Sequence, residues 1–295
     1  VDRRAYAAWV IVCVVWGTTY LAIRISLETI PPLLMAAMRW IAAGALLITA
    51  LKVRGERLPA PSAWPALVVL GILLLGFGNG AVVWAEQTVP SGLTSVLVAT
   101  VPFWMVAVEG LTRDGDPLTP RRFAGLLLGF CGIVALVWPE IRVGASGRVF
   151  LSGVLSTQIA CVGWAVGSSY ARRRGRTHAS DENVLATAAF EMLFGGLFLL
   201  ALGLALGEPS RLAFTQRTAG ALAYLTFVGA IGGFTAYAYA LKHLPMATVS
   251  LYAYVNPVIA VFLGTLVLHE PFGARVGVAA ILVLMGVGLV RQRNA

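Results

Sequence analysis

Apolar residues run through this chain in long, nearly unbroken blocks. Ten such blocks can be marked, roughly 6–27, 32–51, 64–87, 91–111, 120–138, 149–171, 183–206, 218–242, 245–268 and 272–290. Each is close to the ~20 residues that a helix needs to cross a bilayer core. Short polar segments separate them. The period-two alternation of a membrane β-barrel is absent from the blocks. Internal Gly, Pro and Thr are no obstacle, because neighbouring helices in lipid re-satisfy the backbone that they disturb. The pattern predicts an all-α integral membrane protein with ten transmembrane helices.

The blocks also repeat. Trp84 to Pro102 matches Tyr239 to Pro257 at an offset of 155 residues, aligning Pro90 with Pro245, Ser95 with Ser250 and Pro102 with Pro257. Gly78 meets Gly233 at the same offset. Gly17-Thr18-Thr19-Tyr20 echoes Gly167-Ser168-Ser169-Tyr170 at 150, and Asp116-Pro117 and Gly132 echo Glu270-Pro271 and Gly286 at 154. Such drift is what two copies show after small loop changes. The copies are residues 1–143 and 144–295, divided in the loop from Pro139 to Arg148. Five helices per copy is an odd number, so the second copy enters the membrane in the opposite sense. Two inverted five-helix repeats point to a transporter with its site between the halves.

Composition supports lipid as the solvent. Hydrophobic residues make up 59% of the chain, charged residues 12%, and mean hydropathy is +0.84. With the N-terminus placed in the cytoplasm, inner segments hold 15 Lys and Arg and outer segments 5. That bias predicts both termini in the cytoplasm. The net charge of +9 is therefore a topology signal, and nucleic acid is excluded as a partner. The first block lacks a small-residue cleavage site and reads as helix 1. Cys13, Cys131 and Cys161 fall within blocks, with no metal or disulfide spacing. There is no intramembrane Asp pair, P-loop or HExxH motif. The chain reads as no enzyme, needs no cofactor, and must draw on a gradient.

Ionisable residues inside a bilayer are the functional candidates, because charge there is costly. Glu86 lies late in helix 3, two turns after Asn79. Asn183, Thr187 and Glu191 are spaced by four on helix 7, which makes Glu191 the leading coupling candidate. Arg39 lies in helix 2, and Arg24 ends helix 1 above Tyr20 and Trp16. Glu109, near Arg113, reads as interfacial. Thr248, Tyr252 and Asn256 form a polar stripe on helix 9, and Thr235, Tyr239 and Lys242 another on helix 8. Pro102 and Pro257 are hinge candidates, a mid-helix proline being a kink. Gly163/Gly167 and Gly229/Gly233 permit close helix approach. For each of these the competing reading is bland: packing, headgroup contact, a fixed ion pair or a static kink.

Taken together these features resemble the EamA family of the drug/metabolite transporter superfamily. The resemblance rests on Trp16-Gly17-Thr18-Thr19-Tyr20, Arg39, and the Pro-bearing helices 4 and 9. Gly78-Asn79-Gly80, Ala85-Glu86, Val89-Pro90-Ser91-Gly92, Glu191-Met192-Leu193 and Tyr252-Ala253-Tyr254-Val255-Asn256-Pro257 are most like its YedA-type branch. It covers essentially the whole chain. The resemblance implies a ten-helix secondary carrier of a bacterial inner membrane, usually an exporter of amino acids, related metabolites or drugs. It also implies a central cavity lined mainly by helices 1, 3, 4, 6, 8 and 9. On that map Trp16, Tyr20, Asn79, Trp84, Tyr237, Tyr239 and Tyr252 are cavity candidates. The expected partners are a small-molecule solute, membrane lipid and, as a candidate coupling ion, protons; the sequence is silent on oligomeric state. Competing readings are an antiporter of phosphorylated metabolites or nucleotide sugars, and a passive pore or scramblase.

Overall fold

The apolar blocks become helices in the computed structural model, which describes residues 3–111, 119–141, 145–177, 183–244, 246–249, 251–270 and 273–291. In chain order they are α1 (Arg3–Ser26), α2 (Pro32–Val53), α3 (Pro61–Ala85), α4 (Ser91–Gly110), α5 (Pro120–Ile141), α6 (Ala145–Thr177), α7 (Val184–Ala205), α8 (Gln216–His243), α9 (Tyr252–Leu268) and α10 (Ala274–Arg291). No strand occurs among the described residues. Seven of these helices are long and apolar enough to cross a membrane: α1 to α4 and α6 to α8. The apolar parts of the other three, Phe123–Ala135, Tyr252–Leu268 and Val276–Gly286, are shorter. Of the matched sequence positions, Asp116, Pro117, Pro245, Ser250 and Pro271 lie outside the described residues, as do Asp2, Arg113, Asp114, Arg142, Asp181 and Arg293.

Two helices are not regular. In α3 the stretch Gly71–Asn79 is wound as a π-helix, and in α8 the stretch Leu225–Gly232 is too. Their starts share the 154-residue offset seen in the sequence. Such wide turns are rare and concentrate at functional sites. A third irregularity is the break in α4 between Ser91–Val98 and Val101–Gly110. Proline has no N–H and disfavours a helical residue before it. Pro102 therefore opens a fresh helical piece at Val101–Gly110. Pro257 instead sits inside the continuous helix Tyr252–Leu268. The two prolines match in sequence but differ in local structure.

Helix packing follows a regular scheme. The contacts are α2 on α7, α5 on α10, α4 on α9, α1 on α8 and α9, and α6 on α3 and α4. Exchanging each helix with the one five places along maps this scheme onto itself. Backbones approach closely where α3 crosses α7. A Cβ on Gly71 would lie 2.6 Å from the Glu191 carbonyl oxygen, and one on Gly195 2.6 Å from that of Gly71. Only glycine permits that approach. The largest apolar cluster lies between α2, α3, α7 and α8 and includes Trp40, Met35, Met192 and Leu225. Large apolar side chains such as Val10, Phe130, Leu155 and Phe262 are exposed on the outside, as a lipid-facing surface requires.

Helix starts are satisfied by carboxylates from distant parts of the chain. The first N–H groups of a helix have no partner within it. Leu33 and Leu34, at the start of α2, donate to Glu208 at 3.3 and 2.9 Å. Ser91 and Gly92, at the start of α4, donate to Glu270 at 2.8 and 3.1 Å. Both helices begin just after a proline, Pro31 and Pro90, which leaves their next N–H groups to be capped. Asn183 caps α7 through Leu185 and Ala186, and its Nδ2 donates to Glu56 at 3.2 Å. Glu56 follows α2 and reaches the start of α7, while Glu208 follows α7 and reaches the start of α2. The spaced-by-four stripe on helix 7 is thus part cap: Asn183 is spent on the helix end.

Glu208 is fully buried, so its removal orphans two backbone donors out of reach of water. Glu208→Ala should lower stability by about 1–3 kcal/mol. Glu208→Gln, which keeps one acceptor, should lose less. Thermal unfolding in detergent micelles reads both, and equal midpoints for wild type and Glu208→Ala would refute the cap.

Candidate functional site

A cavity of about 430 Å³ opens at the centre of the bundle. That is the size of a small-molecule site. Its wall is drawn from α1, α2, α3, α4, α6, α8 and α9. α1 contributes Trp16 and Tyr20, α2 Arg39 and Trp40, α3 Gly78 and Asn79, and α8 Phe234. The broken part of α4 runs along one side, including Pro102, opposite Trp164 of α6 and Tyr252, Asn256 and Pro257 of α9.

Trp16 organises the aromatic side. Its Nε1 donates to the Gly229 carbonyl in the π-helical stretch of α8 at 3.2 Å. Its ring lies 5.3 Å from Phe234, 5.2 Å from Tyr237 and 4.9 Å from Tyr252. Edge and tilted contacts of this kind are the favoured aromatic arrangements. On the facing side, Trp40 donates to Asn79 Oδ1 at 3.0 Å and packs edge-on to Phe234. Gln158 of α6 accepts from Trp104 Nε1 at 2.9 Å and from Thr100 at 3.3 Å, tying α6 to the break in α4. Pro102 and Pro257 cannot donate to the carbonyls four residues earlier. Those belong to Val98 and Ala253, and both residues line the cavity.

The charges are few and buried. Arg39 is 3% exposed, and its guanidinium carbon sits 4.2 Å over the Trp40 ring. Neither its Nε nor its Nη1 has a hydrogen-bond acceptor. Glu86, at the end of α3, is fully buried, and neither carboxylate oxygen has a donor. The charges acting on it are those of Glu270, Arg24 and Arg39, while the Arg24 side chain itself donates to the Glu86 backbone carbonyl. Glu109 pairs with Arg172 and accepts from Ser169 at 2.7 Å, joining α4 to α6. Among the described residues no cluster of His, Cys, Asp or Glu is arranged to hold a metal. The arrangement can enclose an apolar solute and offer it a few polar contacts.

The residues singled out from sequence divide into two groups. Trp16, Tyr20, Arg39, Asn79, Pro102, Tyr252 and Pro257 line the cavity, and Tyr237 stands behind it against Trp16 and Tyr252. Trp84 and Tyr239 lie on the exterior, 40% and 38% exposed, with Tyr239 stacked on His243. Glu86 is buried at the end of α3, away from the cavity lining. Glu191 lies on α7, which adds no residue to the lining. α2 lines the cavity although the family resemblance did not include it among the lining helices. Trp40, Phe234 and Glu208 were not singled out from sequence, and Glu270 was noted only as a repeat position. For the two carboxylates a signal existed: each forms a Glu-Pro pair just after an apolar helix, and each target helix begins beside a proline.

Comparison with known proteins agrees with this architecture. The EamA-like transporter family matches the chain at residues 3–138 and again at 151–292. The inner membrane transporter YedA of Escherichia coli strain K12 is 37% identical over 255 residues, covering 85% of this chain and 79% of YedA. The transporter YvbV of Bacillus subtilis strain 168 is 25% identical over 282 residues, covering 95% of this chain and 89% of YvbV. A chain solved by crystallography superposes with a TM-score of 0.65 at 24% identity, covering 97% of each chain, which shows likeness of fold. This chain belongs to the EamA-like transporter family and is a multi-pass transporter of the bacterial inner membrane.

Proposed function

We propose that the protein is a secondary carrier that exports small amphipathic metabolites by alternating access through the central cavity. The observation that carries this reading is the aromatic-walled central cavity with Arg39 and Asn79 in its wall. Ten spans in two inverted repeats, 1–143 and 144–295, with both termini cytoplasmic, give the carrier its frame. The repeat is supported by the paired family matches, the paired π-helical stretches and the five-place symmetry of helix packing. The orientation is supported by the lopsided Lys and Arg of the loops. Antiport of phosphorylated metabolites is disfavoured, because among the described lining residues Arg39 is the single cation. Solute, surrounding lipid and a proton gradient are the partners this reading requires.

In proteoliposomes, uptake of a bound solute should saturate and show counterflow, driven by solute preloaded inside. Ohmic single-channel current would instead mark a pore. Within that assay Pro102→Ala and Pro257→Ala should slow turnover more than they weaken binding, because each restores a donor to a cavity-lining carbonyl and stiffens its helix. Unchanged turnover in both variants would reduce the prolines to static features.

Glu191 is the coupling candidate on this reading. Glu191→Gln should fold normally and lose the pH dependence of transport, a carboxylate in the bilayer being paired, hydrated or protonated. A stable variant with normal pH dependence would remove Glu191 from the coupling path. Wholesale loss of folded protein would make it a structural residue.

A further inference from the structure

We propose that Arg39 holds the anionic group of the solute, and that the preferred solute is a singly charged organic anion with a compact aromatic or apolar body. The proposal rests on the reading of the central cavity as the solute site. It begins from a deficit. A guanidinium carries five N–H donors in a rigid fork. Two of the nitrogens of Arg39, Nε and Nη1, are shut off from water and have no acceptor. Leaving donors of a charged group unpaired in a dry interior costs more than leaving neutral ones. Native structures rarely accept that without a reason.

The neighbours do not remove the deficit. Trp40 covers a face of the guanidinium and gives its N–H groups no acceptor. Glu86 acts on Arg39 electrostatically, yet neither of its carboxylate oxygens is hydrogen-bonded. The missing partner is therefore an acceptor that comes and goes. A carboxylate matches the fork of a guanidinium through two parallel bonds.

The same wall limits the solute's other groups. The described lining holds no Asp or Glu, so an ammonium group would lose its water and gain no counter-charge. The Val98 and Ala253 carbonyls are neutral acceptors and do not offset a full charge. A second anionic group would likewise find no second cation. Trp16, Tyr20, Trp164, Phe234 and Tyr252 supply flat apolar surface for the body.

A matched series separates these demands. Hydrocinnamate, L-phenylalanine and phenethylamine share a ring and a two-carbon arm, and differ in bearing a carboxylate, both charges, or an ammonium. Binding is measured by calorimetry at pH 7 on the full chain in nanodiscs of zwitterionic lipid. Hydrocinnamate should bind at least about tenfold tighter than L-phenylalanine, with phenethylamine weakest. Arg39→Gln should weaken hydrocinnamate about ten- to a hundredfold and should not weaken phenethylamine, whose ammonium is freed of a like charge. If that variant fails to fold, the wild-type order decides alone. A flat or inverted order overturns the proposal while leaving the cavity as a solute site. Absence of binding by all three overturns the proposal together with the reading beneath it.

Discussion

Lipid offers a backbone nothing to bond with, and this constraint shapes the molecule. Within helices the demand is met locally. At helix starts it is not, and the chain answers with carboxylates brought from far away in sequence. Glu208 and Glu270 each take two N–H groups at the head of a proline-led helix. An anion there also meets the positive end of the helix dipole. These contacts fix how α2 meets the end of α7 and how α4 meets the end of α9. The helices that line the cavity are held in place from their tips.

The cavity in turn depends on helices that depart from regularity. π-helical turns in α3 and α8 bring Asn79 and the Gly229 carbonyl to positions where Trp40 and Trp16 can bond them. The break in α4 lets Thr100 reach Gln158 while Pro102 faces inward. These two indole N–H groups are thereby spent on the wall itself. Aromatic surface and the unpaired Arg39 remain among what the wall offers a solute.

Much of the fold was legible in the sequence, because a membrane span needs a long apolar run and such runs cannot be hidden. The helix positions followed from that pattern, whereas most of the aromatic wall was legible only through the lining helices that the family resemblance implies. The direction each face points was harder to read. The resemblance implies which helices line the cavity but not which face of each looks inward, and so Trp84 and Tyr239 were grouped with Trp16 although they are exposed. Polar spacing misled on α7 for a related reason. Asn183 was read as part of a stripe with Glu191, whereas its side chain closes the helix end. Nothing in a local window around Glu208 or Glu270 shows which distant helix start each will meet. Identical prolines proved unequal because breaks depend on packing as well as on the missing N–H.

The carboxylate caps bear on how such a molecule can move. Glu208 and Glu270 both come from residues 144–295, and the helix starts they hold both lie in residues 1–143. Pulling the two sequence halves apart as rigid blocks would tear carboxylates from their backbone donors at two places at once. The capping contacts tie α2 to α7 and α4 to α9, each across the gap between the two stretches that the family matches separately. The family matches divide this chain near its middle, but the ties that hold its helix tips run crosswise to that division.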